Sequence, residues 1–66
     1  MAREDFAQLR DGQRLRDRRG RIWTLVTDPF PEDGLLHVVL RSGDLVRRVN
    51  ERFADDYMAL QDVGDA

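Results

Sequence analysis

Residues 35–50 read LLHVVLRSGDLVRRVN, and the fold is decided here. The first seven of these residues are almost all apolar and rich in β-branched side chains. This is the composition of a central strand with both faces covered. Ser42-Gly43 is a two-residue hairpin signal, and residues 45–50 (LVRRVN) then pair back on the strand before them. A hairpin this apolar cannot stand alone in water, so the rest of the chain must supply more sheet.

Working outward, residues 21–27 (RIWTLVT) are β-branched and aromatic and predict a second strong strand. Between the two lies Asp28-Pro29-Phe30-Pro31-Glu32-Asp33-Gly34, read as a loop in which the prolines hold Phe30 extended. Residues 13–17 alternate around Leu15. The stretch Asp17-Arg18-Arg19-Gly20 predicts a hairpin loop with Gly20 left-handed. Asp11-Gly12 marks a turn. In residues 2–9, Ala2, Phe6 and Leu9 fit one face of a short helix, and Asp5 with Gln8 forms a weak capping box. Residues 51–56 predict a single helical turn, residues 57–61 (YMALQ) a last strand, and residues 62–66 a frayed tail. The expected fold class is therefore all-β: a five-stranded small barrel over residues 12–61, with an N-terminal helical or extended segment over residues 1–11.

The 66 residues allow one domain, and a domain this small is marginally stable. With no cysteine, a disulfide framework and a thiolate metal site are excluded. The N-terminus lacks the apolar core of a signal peptide, and no apolar run approaches the ~20 residues of a membrane span; a cytoplasmic protein with no membrane partner is expected. All eleven basic residues are arginine and Asp outnumbers Glu, the codon bias of a GC-rich bacterial or phage genome. The net charge of −2 hides an uneven distribution: residues 10–21 carry six Arg against two Asp, whereas residues 53–66 carry four Asp and no Arg.

The order of strand, short loop, Trp-bearing strand, longer loop, strand, tight hairpin, strand, single turn and short strand resembles the SH3-like small barrels. Gly12-Gln13-Arg14-Leu15-Arg16, followed by Gly20 and Trp23, is also similar to the start of the plasmid-borne type II dihydrofolate reductases, which use this barrel as a tetramer. The resemblance implies the fold and a tendency to oligomerise. The reductases' catalytic Val-Gln-Ile-Tyr is replaced here by Leu45-Val46-Arg47-Arg48-Val49, so it implies no reductase activity.

No catalytic constellation, cofactor or metal is expected. His37, the single histidine, lacks a Cys partner and any serine nearer than Ser42. Asp55-Asp56 are adjacent and point apart, and Glu32-Asp33-Gly34 lacks the ligand spacing of a calcium loop. The binding candidates are Arg14, Arg16, Arg18, Arg19, Arg21, Arg47 and Arg48, with Trp23 and Phe30 as aromatics that stack on bases. Of the neighbours Arg47 and Arg48, one must point toward the interior, its stem covering apolar surface. The net negative charge weighs against a nucleic-acid surface and for arginines paired with carboxylates.

The expected core is Leu15, Ile22, Val26, Leu36, Val38, Leu40, Val49, Phe53 and Leu60, with Trp23 partly buried. The strands at 21–27 and 35–41 are apolar on both sides, and a small barrel has one interior. The second face therefore needs a cover, either residues 1–9 or a second subunit. The function expected is a non-enzymatic interaction module that binds protein or self-associates. The alternative is a nucleic-acid-binding barrel using the arginines.

Overall fold

The computed structural model describes residues 1–60. The expected residue 61 and the tail at 62–66 lie outside the described residues. The chain forms a 3₁₀ helix (Arg3–Gln8), strands β1 (Arg14–Asp17), β2 (Ile22–Leu25), β3 (Phe30–Glu32), β4 (Leu35–Ser42) and β5 (Leu45–Asn50), a second 3₁₀ helix (Glu51–Asp56), and β6 (Tyr57–Ala59). All pairings are antiparallel, in the order β3-β4-β2-β1-β6, with β5 on the other edge of β4. The sheet does not close, because β5 pairs only with β4 and β6 only with β1. No helix is long and apolar enough to cross a membrane among the described residues.

There are six strands rather than five. The additional β3 arises within residues 28–34, where a loop was expected. Asp33 and Gly34 both have positive φ, 54° and 79°, the geometry of a turn that matches strand twist. This turn folds Phe30–Glu32 back on Leu35–His37. Pro31 is tolerated because β3 is an edge strand. In the β4–β5 hairpin the two turn residues are Gly43 and Asp44, with Ser42 opposite Leu45 and Gly43 at φ 61°.

One core gathers Phe6, Leu9, Leu15, Trp23, Leu25, Val38, Leu40, Val49, Ala54 and Tyr57, with Met1 and Leu36 against it. Four expected core residues, Leu15, Val38, Leu40 and Val49, are buried here. Strand β2 faces the opposite way from the expectation: Trp23 is fully rather than partly buried, Leu25 joins it, Ile22 is half-buried and Val26 is 42% exposed. The hairpin register sets Trp23 opposite Leu15, so the two must share a face. Leu36 and Leu60 are only half-buried.

Phe53, expected as a core plug, is 51% exposed, and Ala54 is buried in its place. A 3₁₀ helix repeats every three residues, so Ala54 lines up with Tyr57 while Phe53 turns outward. The same spacing puts Phe6 and Leu9 on one buried face, and leaves Ala2 exposed. The N-cap of this helix is Ala2, without a side-chain cap, so the Asp5–Gln8 capping box does not form. Glu51 ties the N-terminal helix to the sheet, accepting from Arg3 Nε at 2.9 Å and from the Leu36 amide at 2.8 Å.

Candidate functional site

The open seam between β5 and the start of β6 is walled on its third side by the β1–β2 hairpin. It forms a cleft of about 850 Å³ lined by Asp17, Arg18, Arg19, Gly20, Arg21, Leu45, Arg47, Asp56 and Tyr57. The hairpin is rigid for a local reason. Asp17 and Arg21 are joined by a backbone hydrogen bond of 2.9 Å, the Gly20 amide donates to the Asp17 carbonyl at 3.0 Å, and Gly20 takes φ 87°. The Asp17 carboxylate then accepts from the Arg19 and Arg21 amides, both at 2.9 Å, through Oδ1. Its Oδ2 accepts from the indole Nε1 of Trp23 at 3.0 Å.

Two arginines bridge the seam. The Arg18 guanidinium pairs with Asp56 at 2.9 Å. Arg47, on the inward face of β5 with Leu40 opposite, lays its guanidinium 4.4 Å from the centre of the Trp23 ring. Its Nη1 donates to the Tyr57 hydroxyl at 2.9 Å. Arg47 is thus the interior-pointing member of the Arg47–Arg48 pair, as alternation requires.

The expected site residues separate into three groups. Arg18, Arg19, Arg21 and Arg47 converge on the seam. Arg14 and Arg16 lie on the outer face of β1, opposite Thr24 and Ile22. Arg48 is on the outer face of β5, with its guanidinium 5.2 Å from the Phe30 ring and paired with Glu32. Phe30 in turn stacks on His37, ring centres 5.7 Å apart, and His37 Nδ1 lies 3.4 Å from Arg48 Nε. This cluster fastens β3 to the outer face. Trp23 is buried and Phe30 is half-buried against His37 and Arg48, so neither stands free as a stacking platform. The Phe6 and Leu9 side chains enter the one core rather than covering the outer face, where Val26, Val46 and Met58 are exposed.

Asp17, Leu45, Asp56 and Tyr57 were not among the expected site residues. The readable signal for Asp17 was its place at the base of a hairpin, where an aspartate side chain accepts from nearby amides. For the others, the seam exists only through the long-range return of β6 to β1. Among the described residues no three His, Cys, Asp or Glu side chains converge as a metal site.

The Asp17 carboxyl is held below the usual carboxylate range, chiefly by the Trp23 indole donor and then by the Arg21 and Arg19 amides, against an opposing effect of desolvation. Glu51 is likewise lowered, first by the Leu36 amide and then by Arg3. A carboxyl whose folded value is depressed stabilises the fold above its ordinary value of about 4, and loses that contribution as pH falls through the folded value. Thermal melts are therefore expected to hold steady from neutral pH down to about 5 and to fall below about 4. Asp17→Asn should lower the neutral-pH melting temperature and flatten the acid decline; an acid limb identical to that of the parent protein would remove Asp17 as its cause. No family model, curated protein or solved structure matches the chain.

Proposed function

We propose that the chain is a small SH3-like barrel with an open seam, acting as a non-enzymatic interaction module whose seam receives a segment of a partner protein. Support for the barrel comes from the connectivity: β1 pairs with both β2 and β6, and a 3₁₀ turn precedes the last strand. The observation that carries the function is the cleft itself. Strand β5 brings an unpaired edge to it, whereas on the β6 side the Tyr57 amide bonds back to the Ala54 carbonyl and the Tyr57 carbonyl accepts from the N-terminal ammonium. The cleft combines half-exposed Leu45 and the buried Tyr57 ring with charged side chains. Unpaired strand edges are templates for added strands, and main-chain hydrogen bonds supply affinity in such additions.

The outer face is less suited to self-association. Arg14, Thr24, Arg41 and Val46 lie in one row across four strands, with Arg16 beside them. A two-fold pairing of this face would set arginines against arginines. A nucleic-acid reading loses the two stacking residues expected of it, since Trp23 is buried and Phe30 packs on His37 and Arg48.

Selection of random peptides displayed on phage tests the reading. Peptides enriched on the parent protein are expected to lose binding about tenfold or more on Leu45→Asp, which replaces the apolar contact at the seam with a carboxylate, and to keep it on Val26→Asp, which alters the outer face. Enriched peptides indifferent to Leu45→Asp would overturn the seam as the site.

A further inference from the structure

We infer that the partner segment is acidic and extended, and adds as a strand to the free edge of β5 with its carboxylates set against Arg19, Arg21 and Arg47. This rests on the seam being the ligand site and names the chemistry that fills it.

The edge comes first. Ser42 and Leu45 close a two-residue turn, and the residues that flank such a turn exchange both backbone hydrogen bonds. Along β5 the groups of Leu45, Arg47 and Val49 therefore point to β4, while those of Val46 and Arg48 point away from it. Strand β5 has no second neighbour, and no backbone bond outside the β4 ladder reaches either residue among the described residues. Two donors and two acceptors are thus offered at strand spacing.

Charge selects the ligand. Arg18 is already matched by Asp56, and the Asp17 carboxylate is occupied by three N–H donors. Arg19 and Arg21 have no ion-pair partner among the described residues, and Arg47 spends one nitrogen on a neutral hydroxyl. The seam is therefore cationic within a chain whose net charge is −2. Guanidinium groups bind carboxylates through paired N–H donors, which favours carboxylates over a lone carbonyl.

Alternation gives the pattern. On an added strand, one set of side chains would share the inward face of Leu45 and Arg47, and the other set would lie beside Val46, which is 67% exposed. Carboxylates belong in the first set and apolar side chains in the second.

The test uses the full chain and an acetylated, amidated eight-residue peptide alternating Glu and Val, titrated by calorimetry at low salt. Its comparators are the peptide with Lys in place of Glu, the acidic peptide N-methylated along one edge, and an oligothymidine of similar length. The acidic peptide is expected to bind at least about tenfold more tightly than the Lys peptide and the oligothymidine. N-methylation on the pairing edge should weaken it about tenfold, because it removes the main-chain donors. Arg19→Glu with Arg21→Glu should weaken it about tenfold, whereas Arg14→Glu with Arg16→Glu should change it less than about twofold. All four arginines are exposed, and circular dichroism melts verify that the variants fold.

Equal binding of acidic and Lys peptides, tighter binding of the oligothymidine, indifference to N-methylation, or equal loss from the two double reversals each overturns the inference. Phage-selected peptides that need Leu45 but carry no acidic bias would remove it while leaving the seam as the site. An acidic peptide unaffected by both Leu45→Asp and the Arg19/Arg21 reversal would remove the seam as well.

Discussion

Trp23→Ala is expected to lower stability by about 3–5 kcal/mol, the cost of emptying a buried aromatic site. A domain of this length has on the order of 3–10 kcal/mol in total, so a large part of the population should unfold at room temperature. Three losses coincide at this residue. The core loses its largest fully buried side chain, Arg47 loses the ring beneath its guanidinium, and Asp17 loses the indole donor. Trp23→Phe separates them, since it keeps most of the packing and an aromatic face but no N–H. Urea unfolding followed by far-ultraviolet circular dichroism should place Trp23→Phe between the parent and Trp23→Ala. A Trp23→Ala midpoint equal to the parent's would contradict the burial described here.

Phe6→Ala is expected to cost about 3–5 kcal/mol as well, although it lies in a short segment near the start of the chain. A six-residue 3₁₀ helix has no stability of its own, and here it is held by what it inserts. Phe6 is fully buried and Leu9 nearly so. Losing that anchor also loosens the Arg3–Glu51 pair. Phe53→Ala is the matched control. The same residue type half-exposed in the second 3₁₀ helix should change stability by less than about 0.5 kcal/mol. Similar losses in the two variants would mean that burial does not separate them.

The contrast between those two phenylalanines shows what was legible in the sequence. The hairpin at 35–50, the Asp17–Gly20 loop and the helical turn at 51–56 were readable, because turn chemistry and β-branched runs are local signals. The direction of β2 was not, because RIWTLVT is apolar on both faces and alternation alone does not choose between them. Leu15 settles it, but only through the cross-strand register that opposes it to Trp23. Phe53 was misplaced because an α-helical turn would set it beside Tyr57, four residues on, whereas the chain forms a 3₁₀ helix that repeats every three. The Asp33-Gly34 turn carried its own hairpin signal, masked by two prolines that an edge strand accommodates.

The candidate site was legible as composition and not as geometry. Seven arginines stood out, yet only topology separates the four at the seam from Arg14, Arg16 and Arg48. Carboxylate partners were expected for the arginines, but only the fold shows which one pairs at the seam: Asp56, distant in sequence, with Arg18. Asp17 has a different part: it orders the hairpin backbone, which leaves the Arg19 and Arg21 side chains unmatched while their amides are engaged.

The chain has a single indole, and it sits behind the seam with a carboxylate at its ring nitrogen and a guanidinium over its face. Its emission is tuned by those two neighbours of opposite sign. The molecule thus carries a built-in optical gauge: a guest that draws Arg47 off the ring, or a proton that discharges Asp17, alters the colour and yield of the light with no dye attached.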